Sequence, residues 1–168
     1  MNRKVLVTVL GLVVVLLATP FIGMVYATPP ISVSGTQTLN SFTPLGPPVP
    51  TGNGGNALLT ALVDVTWVGD IDGHTVYEGK LMLHNFVPPA GGPDTTVNIH
   101  ERIFFQTVNV LGKVGSLTLN VNLGGSKGVF RWNVLSGTGE LANLHGNGVY
   151  YQTGLSTYAY EGEVHFDP

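Results

Sequence analysis

The sequence has no cysteine. Disulfides, a Cys–His nucleophile and thiolate metal sites are therefore excluded, and the fold must rest on its core alone. Charge is scarce as well, with Asp, Glu, Lys and Arg making up 10% of 168 residues. No cluster of Lys and Arg stands out, which argues against a nucleic-acid partner. No Asn-x-Ser/Thr acceptor occurs. The five histidines, at 74, 84, 100, 145 and 165, include no pair two or four apart. A metal site needs several such ligands to converge, so neither a metal nor a cofactor is expected. No serine nucleophile elbow is present, and the lone Gly-Thr-Gly at 137–139 lacks the strand–turn–helix setting of a phosphate loop.

The apolar residues fall into two unequal parts. Asn2, Arg3 and Lys4 precede an uncharged run at 5–27 that is rich in Val and Leu. With small residues at Val25 and Ala27, residues 1–27 read as a secretory signal cleaved before Thr28. An uncleaved membrane anchor is the other reading, since about 20 apolar residues span a bilayer. Pro20 and Gly23 interrupt that helix and favour cleavage. Either way the folded part is secreted or otherwise extracytoplasmic, and a membrane is expected as a partner only through residues 5–27 if they stay uncleaved. Without residues 1–27 the chain keeps five basic and ten acidic side chains, a formal charge of −5. Residues 28–34 (TPPISVS) read as a linker, and 35–168 as one domain.

Within that domain the periodicity is that of strands. Residues 116–123 (SLTLNVNL) alternate, with Leu117, Leu119, Val121 and Leu123 on one face. Similar runs cover 35–42, 57–71, 74–84, 97–108, 127–135, 149–153 and 157–166. Asp72-Gly73 reads as a hairpin turn, and residues 111–115 and 124–126 as two more. Two loops rich in Pro and Gly lie at 43–56 and 87–95. Eight strands with no long helix predict an all-β, eight-stranded antiparallel β-barrel.

The chain is organised around residues 136–148 (SGTGELANLHGNG). The stretch reads as a glycine corner, a short helical turn near residues 139–144, and a glycine-eased return to the sheet. Gly137 and Gly139 flank Thr138, whose hydroxyl is expected to cap the turn by accepting from the Leu141 N–H. Glu140 suits the first turn. Leu141 and Leu144 are expected to plug one end of the barrel, with Gly146 and Gly148 following. The whole motif reads as architecture.

Gly128-Val129-Phe130-Arg131-Trp132, the GTGEL of 137–141 and the LHGNG of 144–148 resemble the C-terminal half of the allene oxide cyclase-like barrel superfamily. The likeness is greatest to its uncharacterised prokaryotic members, and the Gly-Thr-Gly core is also distantly similar to dirigent proteins. It covers about residues 116–166 well. It implies a compact eight-stranded barrel, often a homotrimer. The cyclases carry a carboxylate near the first strand, where this chain has Gln37, Thr38 and Asn40.

Glu101 is the candidate catalytic residue. It interrupts the apolar face Val97, Ile99, Ile103, Phe105. Pointing inward, its carboxyl would be desolvated, as suits a general acid; the other reading pairs it with Arg131 or leaves it at the rim. Trp132, Phe105, Tyr158 and Tyr160 are candidates for an aromatic ligand pocket, and such residues equally fill cores. Two functions follow. One is an exported barrel that binds a small apolar molecule or self-assembles. The other is a cofactor-free isomerase or cyclase acting on an apolar substrate inside the barrel.

Overall fold

The structure, a computed structural model, describes residues 28–52, 54–87, 96–123 and 129–168. The signal or anchor at 1–27 and the turn read at 124–126 lie outside the described residues.

The strands are β1 (Ile31–Pro44), β2 (Val49–Pro50), β3 (Ala57–Gly69), β4 (Ile71–His84), β5 (Thr96–Val110), β6 (Lys113–Leu123) and β7 (Val129–Gly137). After β7 come a single 3-10 turn, Gly139–Leu141, then β8 (Leu144–Gln152) and β9 (Thr157–Phe166). β2 is a two-residue rung against Ala57 and Leu58. The eight long strands run antiparallel, and β1 pairs with both β9 and β3, which closes the barrel. Closure leaves the long strands no free edge for another chain to pair with. β1 starts at Ile31, ahead of the Gly35 start read from the sequence.

Alternation decides which side chains point inward. Leu117, Leu119 and Val121 of β6 are buried, as are Ile103 and Phe105 of β5 and Val63, Val65 and Trp67 of β3. One end of the barrel is filled. Trp67 stands edge-on to Phe105 with centroids 6.0 Å apart and lies tilted over Tyr160 at 4.8 Å. The Tyr160 hydroxyl accepts from Ile71 N–H at 2.8 Å and donates to the Ile71 carbonyl at 3.0 Å. Burial pushes its pKa up to about 12. Trp132 lies across the sheet at Gly148 and Gly162, where a Cβ on either glycine would stand 2.5 Å from its ring. Those two glycines are therefore fixed by the indole they accommodate.

Leu141 and Leu144 are both buried at this filled end. The turn carrying Leu141 is shorter than the 139–144 read from sequence, because Leu144 already begins β8. Its capping also differs. Leu141 N–H bonds the Thr138 backbone carbonyl at 3.1 Å, and the Thr138 side chain makes no cap. That hydroxyl instead sits 2.7 Å from Ser116 Oγ and accepts from Ser116 N–H at 3.3 Å. A 3-10 turn already satisfies this N–H through its three-residue backbone bond, which leaves the hydroxyl for β6. Glu140 Oε2 accepts from Val114 N–H at 2.9 Å, a second tie to the same strand.

The expected Asp72-Gly73 hairpin turn is not there. Gly73 lies inside β4, paired with Trp67, and the chain reverses at Asp70 after Gly69, whose φ is +130°. A Cβ on Gly73 would stand 2.9 Å from Val108 Cγ2, so this glycine answers to packing rather than to a turn. The β5–β6 turn is confined to Leu111 and Gly112, both at positive φ.

Candidate functional site

The opposite end of the barrel is hollow. There β1, β4, β6 and β8 end, and β3, β5, β7 and β9 begin. A cavity of about 170 Å3 opens at this mouth. Its walls are largely apolar, with Leu39, Val63, Val65, Leu81 and Ile99 among the lining side chains. Phe42 lies partly exposed at the mouth. Phe130 and Tyr150 stack at 4.3 Å with ring planes 6° apart. Tyr158 meets both at 87°, with centroids 5.7 and 5.8 Å away. The three rings form a right-angled aromatic corner.

Glu101, Tyr77 and Gln37 add polar groups to this lining. Glu101 on β5 is 8% exposed. Its Oε2 accepts from the Tyr77 hydroxyl of β4 at 2.8 Å. Desolvation raises the Glu101 pKa, and the Tyr77 bond offsets part of that rise. Burial, with the Glu101 charge adding to it, raises the Tyr77 and Tyr150 hydroxyls as well. Gln37 on β1 is 4% exposed, and its Oε1 has no hydrogen-bond partner. A buried acceptor without a partner is costly.

An irregularity in the sheet seats Glu101. The β4–β5 ladder is interrupted between Gly73 and Leu81. Thr75 Oγ1 donates to the Phe104 carbonyl at 2.5 Å within that interval. A Cβ on Gly79 would stand 2.5 Å from Glu101 Oε1, so the glycine makes room for the carboxyl in the wall. Glu101 also borders an outer groove with Glu78, Lys80, His100 and Arg102.

Of the residues singled out in the sequence, Glu101 and Tyr158 line the cavity, whereas Phe105, Trp132 and Tyr160 fill the core. None of Gly137, Thr138, Gly139, Glu140, Leu141, Leu144, Gly146 and Gly148 lines it. Arg131 is exposed on β7, and the partner of Glu101 is Tyr77. Gln37, Tyr77, Phe130 and Tyr150 complete the site. Gln37 was findable, since it falls between Gly35 and Leu39 on the inward face of β1. His145 Nε2 lies 3.1 Å from Asp167 Oδ2 and its ring stacks on His165, on the outside of the barrel. Among the described residues no group of three His, Asp or Glu side chains is placed to hold a metal ion.

The arrangement can enclose a ring-sized apolar body and orient it by a carboxyl and an amide oxygen. No family model matches the sequence, and no curated protein matches it. Among solved structures the fold is similar to that of a protein with unknown function from the DUF3224 family of Shewanella oneidensis MR-1. The TM-score is 0.58 at 20% identity, over 83% of this chain and 99% of that one. At that identity the likeness is one of fold alone.

Proposed function

We propose that this protein is an exported barrel that binds a small, mostly apolar molecule in its hollow end. The observation that carries this reading is the cavity of about 170 Å3, apolar apart from a few placed polar groups. Binding sites have that composition, and a dry engineered cavity of about 150 Å3 takes up benzene. The superfamily resemblance of residues 116–166 supports a barrel used as a container. Calorimetric titration with toluene tests it. Toluene should bind with a negative heat-capacity change, and Leu81→Trp, which places an indole at the cavity wall, should abolish binding while keeping the wild-type urea midpoint. Absent binding, or unchanged binding in the variant, would refute the reading.

The enzymatic reading, a cofactor-free isomerase or cyclase, is favoured by one observation. The Glu101 carboxyl is desolvated inside the cavity and hydrogen-bonded to Tyr77. A carboxyl in that setting suits proton transfer to a bound substrate. Export rests on residues 1–27. Mass spectrometry of the exported protein should find Thr28 at its N-terminus, and an intact Met1 on membrane-extracted protein would identify an anchor instead.

A further inference from the structure

The polar and aromatic groups facing the cavity share one electrostatic character. Glu101 presents a carboxyl and Gln37 a partnerless amide oxygen. The Tyr77 hydroxyl is directed at Glu101. The aromatic corner of Phe130, Tyr150 and Tyr158 adds ring faces, which are electron-rich. Among the described residues, no Lys, Arg or His lines the cavity. An anion inside the cavity would be repelled by the Glu101 carboxylate. A neutral hydrocarbon would leave the Gln37 oxygen without a donor and the carboxyl without a counter-ion, both costly when buried. A cation suits the rings and the carboxylate at once, since ring faces attract organic ammonium ions and a carboxylate pairs their charge, and an O–H or N–H on the same molecule would serve the Gln37 oxygen.

We infer that the cavity takes a small organic ammonium ion, its charge paired with Glu101 and its body packed against the aromatic corner. The inference rests on the binding reading above and names the ligand class. Size restricts the class. About 170 Å3 is little more than benzene needs, which admits a head group such as trimethylammonium. A hydroxyl on the same ligand would donate to Gln37 Oε1. Residues 28–168 carry a formal charge of −5, and a net negative field raises the encounter rate of cations.

Choline and its uncharged isostere 3,3-dimethylbutan-1-ol have the same shape and hydroxyl and differ in charge. Titrated by calorimetry at constant ionic strength, choline should bind at least about tenfold more tightly. Glu101→Gln keeps the size of the side chain and an acceptor for Tyr77 while removing the charge. It should bring the two affinities to within about twofold of each other, with the urea midpoint confirming that the variant is folded. If the alcohol binds as well as choline, or the preference survives in Glu101→Gln, the ammonium inference is overturned and the binding reading stands. If choline, the alcohol and toluene all fail to bind, both fall.

Discussion

Trp67→Ala should unfold at a urea concentration about 1–5 M below wild type. The side chain is fully buried on β3. It touches three other rings, those of Phe105, Tyr150 and Tyr160, at centroid distances of 6.0, 6.0 and 4.8 Å. Removing a large aromatic from a packed core costs about 3–5 kcal/mol, partly from lost transfer energy and partly from the void left behind. Little relaxation is available, because the surrounding residues belong to paired strands of a closed barrel. No hydrogen bond is lost, since the indole N–H has no partner, so the measured loss is one of packing. With a urea slope of roughly 1–3 kcal/mol per M, the midpoint shift follows. Trp67→Phe, which keeps a ring, should lose less and stay folded. A Trp67→Ala midpoint close to wild type would mean that the filled end is not the stabilising core described above.

The second large effect lies at the glycine corner. Leu141 is fully buried at the filled end, and Leu141→Ala should cost about 2–5 kcal/mol. Gly139 sits at φ +64°, a region where a β-branched residue is strained, so Gly139→Val should cost about 1–3 kcal/mol. The two residues share one turn. Once Gly139→Val has disturbed that turn, Leu141 has less packing left to lose, and the double variant should lose less than the sum of the singles. Urea unfolding of the three variants beside wild type measures this. Wild-type midpoints combined with lost ligand binding would make the corner a binding element rather than an architectural one. Thr138→Ala should act differently from a lost helix cap, since its hydroxyl serves Ser116 on β6.

How far the sequence reaches can be judged from individual residues. The alternation of β6 places Leu117, Leu119 and Val121 inside without ambiguity, because a period of two leaves one assignment. The closed barrel follows from the number of strands and the lack of helix. Asp72-Gly73 misleads because a glycine has two unrelated uses. Here it relieves contact with Val108 and Phe105 instead of turning the chain. The Thr138 cap fails for a similar reason. A hydroxyl has several possible acceptors and donors, and which strand passes nearby is a tertiary matter. Glu101 shows both the reach and the limit. Its place on an apolar face is plain from local spacing, but its partner is not. Tyr77 reaches it where the β4–β5 ladder is interrupted, and no local pattern encodes that interruption. The Phe130–Tyr150–Tyr158 corner likewise draws on three strands, and only their register brings the rings together.

Both described termini lie at the filled end. Ile31 pairs with Val164, and Phe166 pairs with Leu144 beyond the glycine corner. A tether on the N-terminal side of Thr28, an uncleaved anchor included, would moor the barrel by its base and turn the mouth toward the medium. A tag fused after Pro168 would do the same. Immobilised from either terminus on a sensor surface, every copy would share one orientation with its mouth facing away from the surface.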